Sequence, residues 1–130
     1  MTRTTLRNGA LLLLLATVLA HLPARSPALA IVGGAAIIVL AAVVLWSLHR
    51  ISSSAFVRGS FAAVFSAILV GGANDVLRGV GSLCPPDSAL GYAGQYAATL
   101  APGMAALTGA VGLFALAMWF LTPPDPSPRA

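Results

Sequence analysis

Three polar residues, Asn74, Asp75 and Arg78, adjoin a long apolar stretch of the chain. Residues three apart lie on one side of a helix, so Asp75 and Arg78 can form an ion pair there. Under one interpretation, the three are a contact for an ion or a substrate at the outer mouth of a pathway. We favour an interfacial ion pair that ends the helix and, being wet, contributes about 0–1 kcal/mol. Ionisable residues that serve transport usually lie deeper.

Two histidines, His21 and His49, carry imidazole groups, which can bind metal ions or relay protons. Each stands at the end of an apolar stretch, and the predicted order of spans puts them on opposite faces of a membrane. They therefore cannot share one ion, and we expect both to cap helices at the interface. Cys84 is the single cysteine, which excludes an internal disulfide and a cysteine metal site. The sequence predicts no metal and no cofactor.

Catalytic and transport chemistry are missing from the sequence. No nucleophile stands beside a paired base, and neither a phosphate-binding loop nor a metal-ligand spacing occurs. The cores of the apolar stretches contain no Asp, Glu, Lys, Arg or His, whereas proton-coupled pumps and ion-coupled carriers need such groups to bind and release their ions. We therefore predict that the chain is not an enzyme, and we rank an autonomous secondary transporter below other functions.

The composition indicates the solvent in which the chain folds. Of its 130 residues, 58% are hydrophobic and only 8% are charged, whereas a water-soluble domain needs roughly 25% charged residues. Lipid cannot hydrogen-bond the backbone, so long apolar runs must form helices or a closed barrel. Barrel strands would alternate polar and apolar residues, and the long runs here do not. The predicted fold class is all-α, an integral membrane helical bundle with the lipid bilayer as its partner.

The charge is too small for a nucleic-acid-binding protein. The net charge of +4 comes from seven scattered arginines against three aspartates, while a nucleic-acid surface needs clustered cations. We therefore expect no nucleic-acid partner. The use of arginine without lysine, beside many alanines, is typical of a bacterium with a GC-rich genome.

Four apolar stretches stand out, and we predict that residues 1–130 form a single membrane domain. The stretches are Gly9–Leu22, Ala28–Leu48, Ala55–Ala73 with an extension to Val80, and Ala98–Leu121. The last three reach the about 17–25 residues that a spanning helix needs. Residues 122–130 contain four prolines and are predicted to form a disordered tail.

The first stretch has two interpretations. Arg3 and Arg7 precede it like the basic region of a signal peptide, and Ala28–Ala30 fits the small-x-small pattern that signal peptidase cleaves. Cleavage would leave three spans. We favour four spans, with an uncleaved hairpin that turns at Pro23–Pro27, because a second apolar span follows directly. A signal peptide usually precedes a polar segment.

Arginines and aromatic residues predict the orientation. With the N-terminus in the cytoplasm, five arginines lie inside and two outside, which agrees with the positive-inside rule. Trp and Tyr prefer the membrane interface, and the same orientation puts the tryptophans on the cytoplasmic side and the tyrosines on the other. The predicted interfacial anchors are Trp46, Trp119, Tyr92, Tyr96, Arg50 and Arg58. We predict a multi-pass protein of the cell (inner) membrane with cytoplasmic N- and C-termini, in which Tyr92–Tyr96 lies along the interface before the last helix begins.

Small residues occupy every fourth position of the third stretch: Gly59, Ala63, Ala67 and Gly71. Helices associate in lipid through such residues, because they let the backbones approach. We predict that this stripe is a helix-packing face. The sequence leaves open whether the face is used within the bundle or against another subunit.

Two functions agree with these features. The leading hypothesis is a small polytopic protein that acts as a non-catalytic subunit or scaffold of a membrane complex, as a homo-oligomer or with a larger partner, through the packing face. The alternative is an oligomeric, holin-like pore or a small-solute channel. The polar residues available to line such a path are Ser60, Ser66, Thr99 and Thr108.

Overall fold

In the computed structural model, the described residues are 3–21, 26–51 and 54–124. They form no strand and five helices, which are α1 (Arg3–His21), α2 (Pro27–Trp46), α3 (Leu48–Ile51), α4 (Ala55–Ser82) and α5 (Ala89–Leu121). All except the single turn α3 are long and apolar enough to cross a membrane. The prediction of an all-helical bundle is confirmed for these residues. Most of the predicted turn at 23–27 and most of the predicted tail at 122–130 lie outside them.

Serines stand at the N-caps of α2, α4 and α5. The Oγ of Ser54 accepts a hydrogen bond from the amide of Val57, and the Oγ of Ser88 accepts one from the amide of Gly91. Each bond satisfies one of the free amides at a helix start. The cap of α2 makes no such bond, and there Pro27 at the first turn starts the helix with its fixed φ.

Several helix ends differ from the prediction. α5 begins at Ala89, so Tyr92–Tyr96 is helical, and the expectation of a separate interfacial segment there is wrong. The cap at Ser88 explains the early start, because it lets a helix form directly after the prolines of the loop. α1 also begins early, at Arg3, and α4 extends to Ser82.

The four long helices form an up-down-up-down bundle. α1 packs against α2 and α5, and α4 also packs against α2 and α5, so α1 and α4 are diagonal to each other. One end of the bundle carries the end of α1, the start of α2 and the connection between α4 and α5, and is called the loop end. The opposite end carries α3, the start of α1 and the end of α5, and is called the terminal end.

The centre of the bundle is a small apolar core. Ile37 of α2 and Ile68 of α4 are 0% exposed, and Leu13, Ala16 and Ala41 pack with them. Many interior positions are alanine or glycine, and many large apolar side chains are exposed on the outside. Examples of exposed large apolar residues are Leu12, Val39, Phe56, Leu113 and Phe120.

Glycines bring α2 and α4 into backbone contact. A Cβ atom placed on Gly34 would lie 2.7 Å from the carbonyl oxygen of Gly72, and one placed on Gly72 would lie 2.8 Å from the carbonyl oxygen of Gly34. Such distances leave no room for a side chain at either position. α4 and α5 approach in the same way, since a Cβ placed on Gly94 would lie 2.7 Å from the Cα of Gly81.

Arg3 joins the first helix to the last one at the terminal end. Its Nε donates a hydrogen bond to the carbonyl oxygen of Thr122 at 3.1 Å, and its guanidinium lies 4.8 Å from the ring centroid of Trp119. A cation suits this position, because the last carbonyls of α5 lack helical partners. The start of α1 is thereby tied to the end of α5.

Candidate functional site

Asp75 lies inside the bundle, with 1% of its side chain exposed. It shares the inward face of α4 with the buried residues Ile68, Gly72 and Gly79, because residues three or four apart project from one side of a helix. Gly34 of α2 makes room for it, since a Cβ placed on Gly34 would lie 2.9 Å from the Cβ of Asp75. The chain therefore places a carboxyl group where two helices touch.

Two basic groups contact this carboxylate, one on each oxygen. The Nε2 of His21 lies 3.3 Å from Oδ2, and the Nη2 of Arg78 lies 3.4 Å from Oδ1. His21 is the last residue of α1, and Arg78 stands one turn after Asp75 on α4. These three residues are called the charged cluster. The charged cluster connects α1 to α4 across the diagonal of the bundle.

Arg78 also holds the end of α1 through its main chain. Its Nη2 donates a hydrogen bond to the carbonyl oxygen of Ala20, one of the carbonyls that the C-terminus of a helix leaves without a helical partner. Gly33 of α2 lies against the same turn, since a Cβ placed there would lie 2.6 Å from the amide nitrogen of Ala20. The end of α1 thus packs directly against the backbone of α2 and is hydrogen-bonded to a side chain of α4.

Asn74 contacts a different neighbour. Its Nδ2 donates a hydrogen bond to the carbonyl oxygen of Ala97 on α5 at 2.9 Å. Of the three polar residues singled out in the sequence, Asp75 and Arg78 are brought together, and Asn74 is turned away from them. The expectation of a wet ion pair that ends the helix is wrong, because Asp75 is buried and α4 continues to Ser82.

His21 belongs to the charged cluster, although the sequence predicts only an interfacial cap. No local pattern relates it to Asp75, because the contact depends on how the diagonal helices are placed. One feature of the sequence does relate them. His21 lies at the end of the first apolar stretch and Asp75 and Arg78 follow the third, and both stretches end on the same side of the predicted bundle. His49 is exposed in α3 at the terminal end, so the two histidines lie at opposite ends, as predicted.

The charged cluster can hold α1 and α4 together through its contacts with the carboxylate of Asp75. The described residues include no group of three His, Cys, Asp or Glu placed to hold a metal ion. The Nε2 of His21 and the Nε of Arg78 are both buried without a hydrogen-bond partner. The imidazole of His21 therefore contacts the carboxylate of Asp75 at 3.3 Å without hydrogen-bond geometry.

A cleft of about 230 Å³ opens at the loop end beside the charged cluster. Its polar and loop lining consists of Arg78 and Ser82 of α4, Gln95 of α5, and Cys84 and Pro86 of the connecting loop. Three glycines of α4 and α5 also line the cleft, and because they have no side chains, they leave space between the two helices. Arg78 is shared by the cleft and the charged cluster.

The predicted packing face winds around α4. A Cβ placed on Gly59 would have no neighbour within 4 Å, Ala63 is exposed, and Ala67 is half-buried. Gly71 is buried and packs against Met104 of α5. A spacing of four residues advances by about 40° per step around a helix of 3.6 residues per turn, so the stripe turns by about 120° in all. Only the loop-end half of the stripe, Ala67 and Gly71, packs within the bundle. The other half, Gly59 and Ala63, has no helix packed against it within the described residues and is called the open half.

The predicted interfacial anchors lie at both ends of the bundle. Those at the terminal end are Trp46, Trp119, Arg50 and Arg58, and those at the loop end are Tyr92 and Tyr96. Trp119 and Arg58 are half-buried, and the other four are exposed. The tryptophans and the tyrosines thus occupy opposite ends, which is the arrangement of two interfacial belts.

Comparisons with known proteins identify no relative. No family model, no curated protein and no solved structure matches the chain. The function is therefore inferred from the charged cluster, the cleft and the open half of the packing face.

Proposed function

We propose that the chain is an integral membrane protein, multi-pass in the cell (inner) membrane, with both termini in the cytoplasm. Four helices have the length and apolar character of membrane spans, and their outer surface exposes many large apolar side chains. The arginines of the described residues lie mostly at the terminal end. They are Arg3, Arg7, Arg50 and Arg58 there, and Arg78 at the loop end. By the positive-inside rule, this distribution supports a cytoplasmic terminal end.

Within the membrane, we propose that the chain is a non-catalytic subunit or scaffold of a larger assembly. The observation that carries this proposal is the closed interior. Ile37 and Ile68 are 0% exposed at its centre, and the buried Asp75 is in contact with His21 and Arg78. Within the part of the chain that the structure describes, the single bundle shows no polar path between its ends. It is suited to hold a shape and to present a surface to another helix.

The open half of the packing face is the proposed contact surface. In lipid, helices associate through small residues, because lipid tails are as apolar as large side chains and do not favour helix contacts over lipid contacts. Gly59 and Ala63 lie open on α4, so a second helix can approach closely. Phe56 and Val64, which are 82% and 38% exposed, offer apolar contacts beside them. We propose that a helix of a second copy or of a larger partner packs here.

The alternative function is an oligomeric pore or channel. Ser60, Ser66 and Thr99 are exposed on the outside of the bundle, so a path lined by them needs several copies. The hydroxyls of Ser60 and Thr99 donate to carbonyls one turn earlier on their own helices, and the buried Thr108 does the same. These bonds reduce the polarity that the hydroxyls offer to a path, which favours the scaffold.

Single cysteines test the proposed contact surface in a variant whose Cys84 is replaced by serine. Oxidation in membranes should form a disulfide between the introduced cysteines of two copies in Ala63→Cys if a second copy packs there, whereas Ala110→Cys should stay uncross-linked. Ala110 is a matched control because it is exposed on α5 at a similar depth. The contact between Gly71 and Met104 fixes the register of these antiparallel helices, and Ala63 and Ala110 differ in depth by two residues, or about 3 Å, measured from it.

Two further measurements decide between the functions. Ala63→Leu should reduce the size of the assembly in mild detergent, and Ala110→Leu should leave it unchanged. A monomer without a co-purifying partner, together with an inert Ala63→Leu variant, would contradict the scaffold. Leakage from liposomes that contain the purified chain would favour the pore, and release of the chain from membranes by alkaline carbonate would contradict membrane integration itself.

A further inference from the structure

The cleft at the loop end is not explained by the role of a scaffold. Its volume of about 230 Å³ exceeds that of one water molecule, which occupies about 30 Å³ in the liquid. In the proposed topology the loop end lies at the membrane surface. Tyr92 and Tyr96 are exposed there on α5, one of the two helices that form the cleft. A molecule in the cleft is therefore at the depth of lipid headgroups.

One wall of the cleft offers hydrogen-bond donors. The side chain of Arg78 is 25% exposed, and its hydrogen bonds to described residues both use Nη2, toward Ala20 and Asp75. A guanidinium has five N–H groups, and its Nε here is buried without an acceptor. The remaining nitrogen, Nη1, makes no hydrogen bond within the described residues. This wall is suited to an oxyanion, which a guanidinium binds with charge-assisted hydrogen bonds.

The opposite wall offers acceptors. Pro102 has no amide hydrogen, so the carbonyl of Ala98, four residues earlier on α5 and part of the cleft lining, lacks its helical donor. Gln95 directs its Nε2 to the carbonyl oxygen of Pro86 at 3.5 Å, which leaves its amide oxygen as an acceptor. The exposed Asp87 follows Pro86 on the loop and adds a negative charge near the rim.

We propose that the cleft binds a headgroup in which a phosphate is linked to a primary ammonium, as in phosphatidylethanolamine. The phosphate oxygens accept hydrogen bonds from Arg78, and the ammonium donates to the carbonyl of Ala98 and the amide oxygen of Gln95. A zwitterion matches the local charge, because Arg78 is already paired with Asp75 and the nearby Asp87 is negative. The inference rests on the proposed location in a membrane.

Apolar residues near the cleft favour a lipid as the source of this headgroup. Leu83, which follows α4, is 68% exposed, and Leu90 in the first turn of α5 is 48% exposed. Both lie next to lining residues of the cleft in the chain, so acyl chains attached to a bound headgroup have apolar surface to lie on. The same phosphate and ammonium in free phosphoethanolamine gain nothing from these residues.

Thermal unfolding of the purified full chain in detergent tests the proposal. Phosphatidylethanolamine at ten times its Kd should raise the Tm by about 5 °C. Phosphatidylcholine should raise it by much less, because its quaternary ammonium has no N–H to donate. Free phosphoethanolamine separates the two sources of the headgroup. Equal stabilisation by the free compound would overturn the assignment of a lipid.

Two variants change the cleft without changing the charged cluster. Ala98→Leu fills the cleft and should abolish the shift produced by phosphatidylethanolamine. Gln95→Met removes an acceptor at similar size and should reduce the shift to that of phosphatidylcholine. Ala110→Leu is the control, since it adds the same atoms at an exposed position of α5 outside the cleft, and it should keep the full shift.

Equal stabilisation by the two phospholipids would overturn the proposal, as would a full shift in both cleft variants. Gln95→Met keeps the test decisive if Ala98→Leu fails to fold. The Ala63 cross-linking concerns the other half of α4 and needs no headgroup in the cleft. Failure of the headgroup site is therefore distinguishable from failure of the proposed scaffold.

Discussion

The imidazole of His21 lies 3.3 Å from the carboxylate of Asp75, and this contact joins the last residue of α1 to the inward face of α4. The two helices are diagonal, so the contact crosses the interior of the bundle. Arg78 reinforces it by binding the same carboxylate and the carbonyl of Ala20. The attraction within a buried ion pair is largely offset by desolvation. We infer that the charged cluster mainly specifies how α1 ends against α4.

Replacement of Asp75 alone should destabilise the bundle. Asp75→Asn leaves the guanidinium of Arg78 without its counter-charge, and loss of one partner of a buried ion pair costs about 3–5 kcal/mol. Unfolding by dodecyl sulfate in mixed micelles, followed by circular dichroism, measures the change. Asp87→Asn is the control, because Asp87 is exposed in the loop, and it should have little effect.

Replacement of both partners separates charge pairing from packing. The double variant Asp75→Leu with Arg78→Met should recover much of the lost stability, because apolar side chains in place of a complete buried pair are often neutral or stabilising. If the loss of stability in the double variant equals the sum of the losses in Asp75→Leu alone and Arg78→Met alone, the two residues do not stabilise the bundle by pairing.

α1 should be present in the mature protein. Leu13 and Ala16 are part of the core, and His21 is part of the charged cluster. Cleavage after Ala30 would remove these groups and leave Asp75 facing an open groove. Intact-mass measurement of the protein isolated from its native cells should show a chain that retains α1. A mass that begins after residue 30 would contradict the four-helix bundle as the mature form.

Gly34→Ala should weaken the contact between α2 and α4. The added Cβ would lie 2.7 Å from the carbonyl oxygen of Gly72 and 2.9 Å from the Cβ of Asp75, and overpacking of this kind costs about 1–3 kcal/mol. Gly103→Ala is the matched control, because a Cβ there meets nothing within 4 Å, and alanine favours a helix by up to about 1 kcal/mol. Equal stability of the two variants in the same unfolding assay would disprove the backbone contact.

Three of the four long helices could be predicted from the sequence because their apolar runs have the length of a span, whereas the apolar run of α1 is shorter. Their ends were less predictable. α5 begins at Ala89 within a stretch whose glycines and tyrosines resemble a loop, since the Ser88 cap and the packing of Gly94 on Gly81 outweigh local composition. Tertiary contacts of this kind have no periodic signature in the chain.

The candidate site was predictable only in part. The spacing of Asp75 and Arg78 predicts their ion pair, because both lie on one helix. Burial of Asp75 and its contact with His21 depend on the rotation of α4 and on the diagonal position of α1, which local sequence does not determine. The same rotation decides that Gly72 meets α2 while Gly59 stays open.

Arg3→Ala should loosen the terminal end, whereas Arg7→Ala should not. Arg3 caps the end of α5 and lies over Trp119, contacts worth about 0.5–1 kcal/mol in total. Arg7 is exposed, and its side chain bonds only its neighbour Asn8 among the described residues. Hydrogen exchange of the last turn of α5 should speed up severalfold in Arg3→Ala alone.

Arg7→Ala is the control, because both variants remove one positive charge from the same end of the bundle. An indirect effect of that charge on membrane orientation would therefore change the exchange rates of both variants equally. Equal exchange rates in the two variants would show that Arg3 does not cap α5.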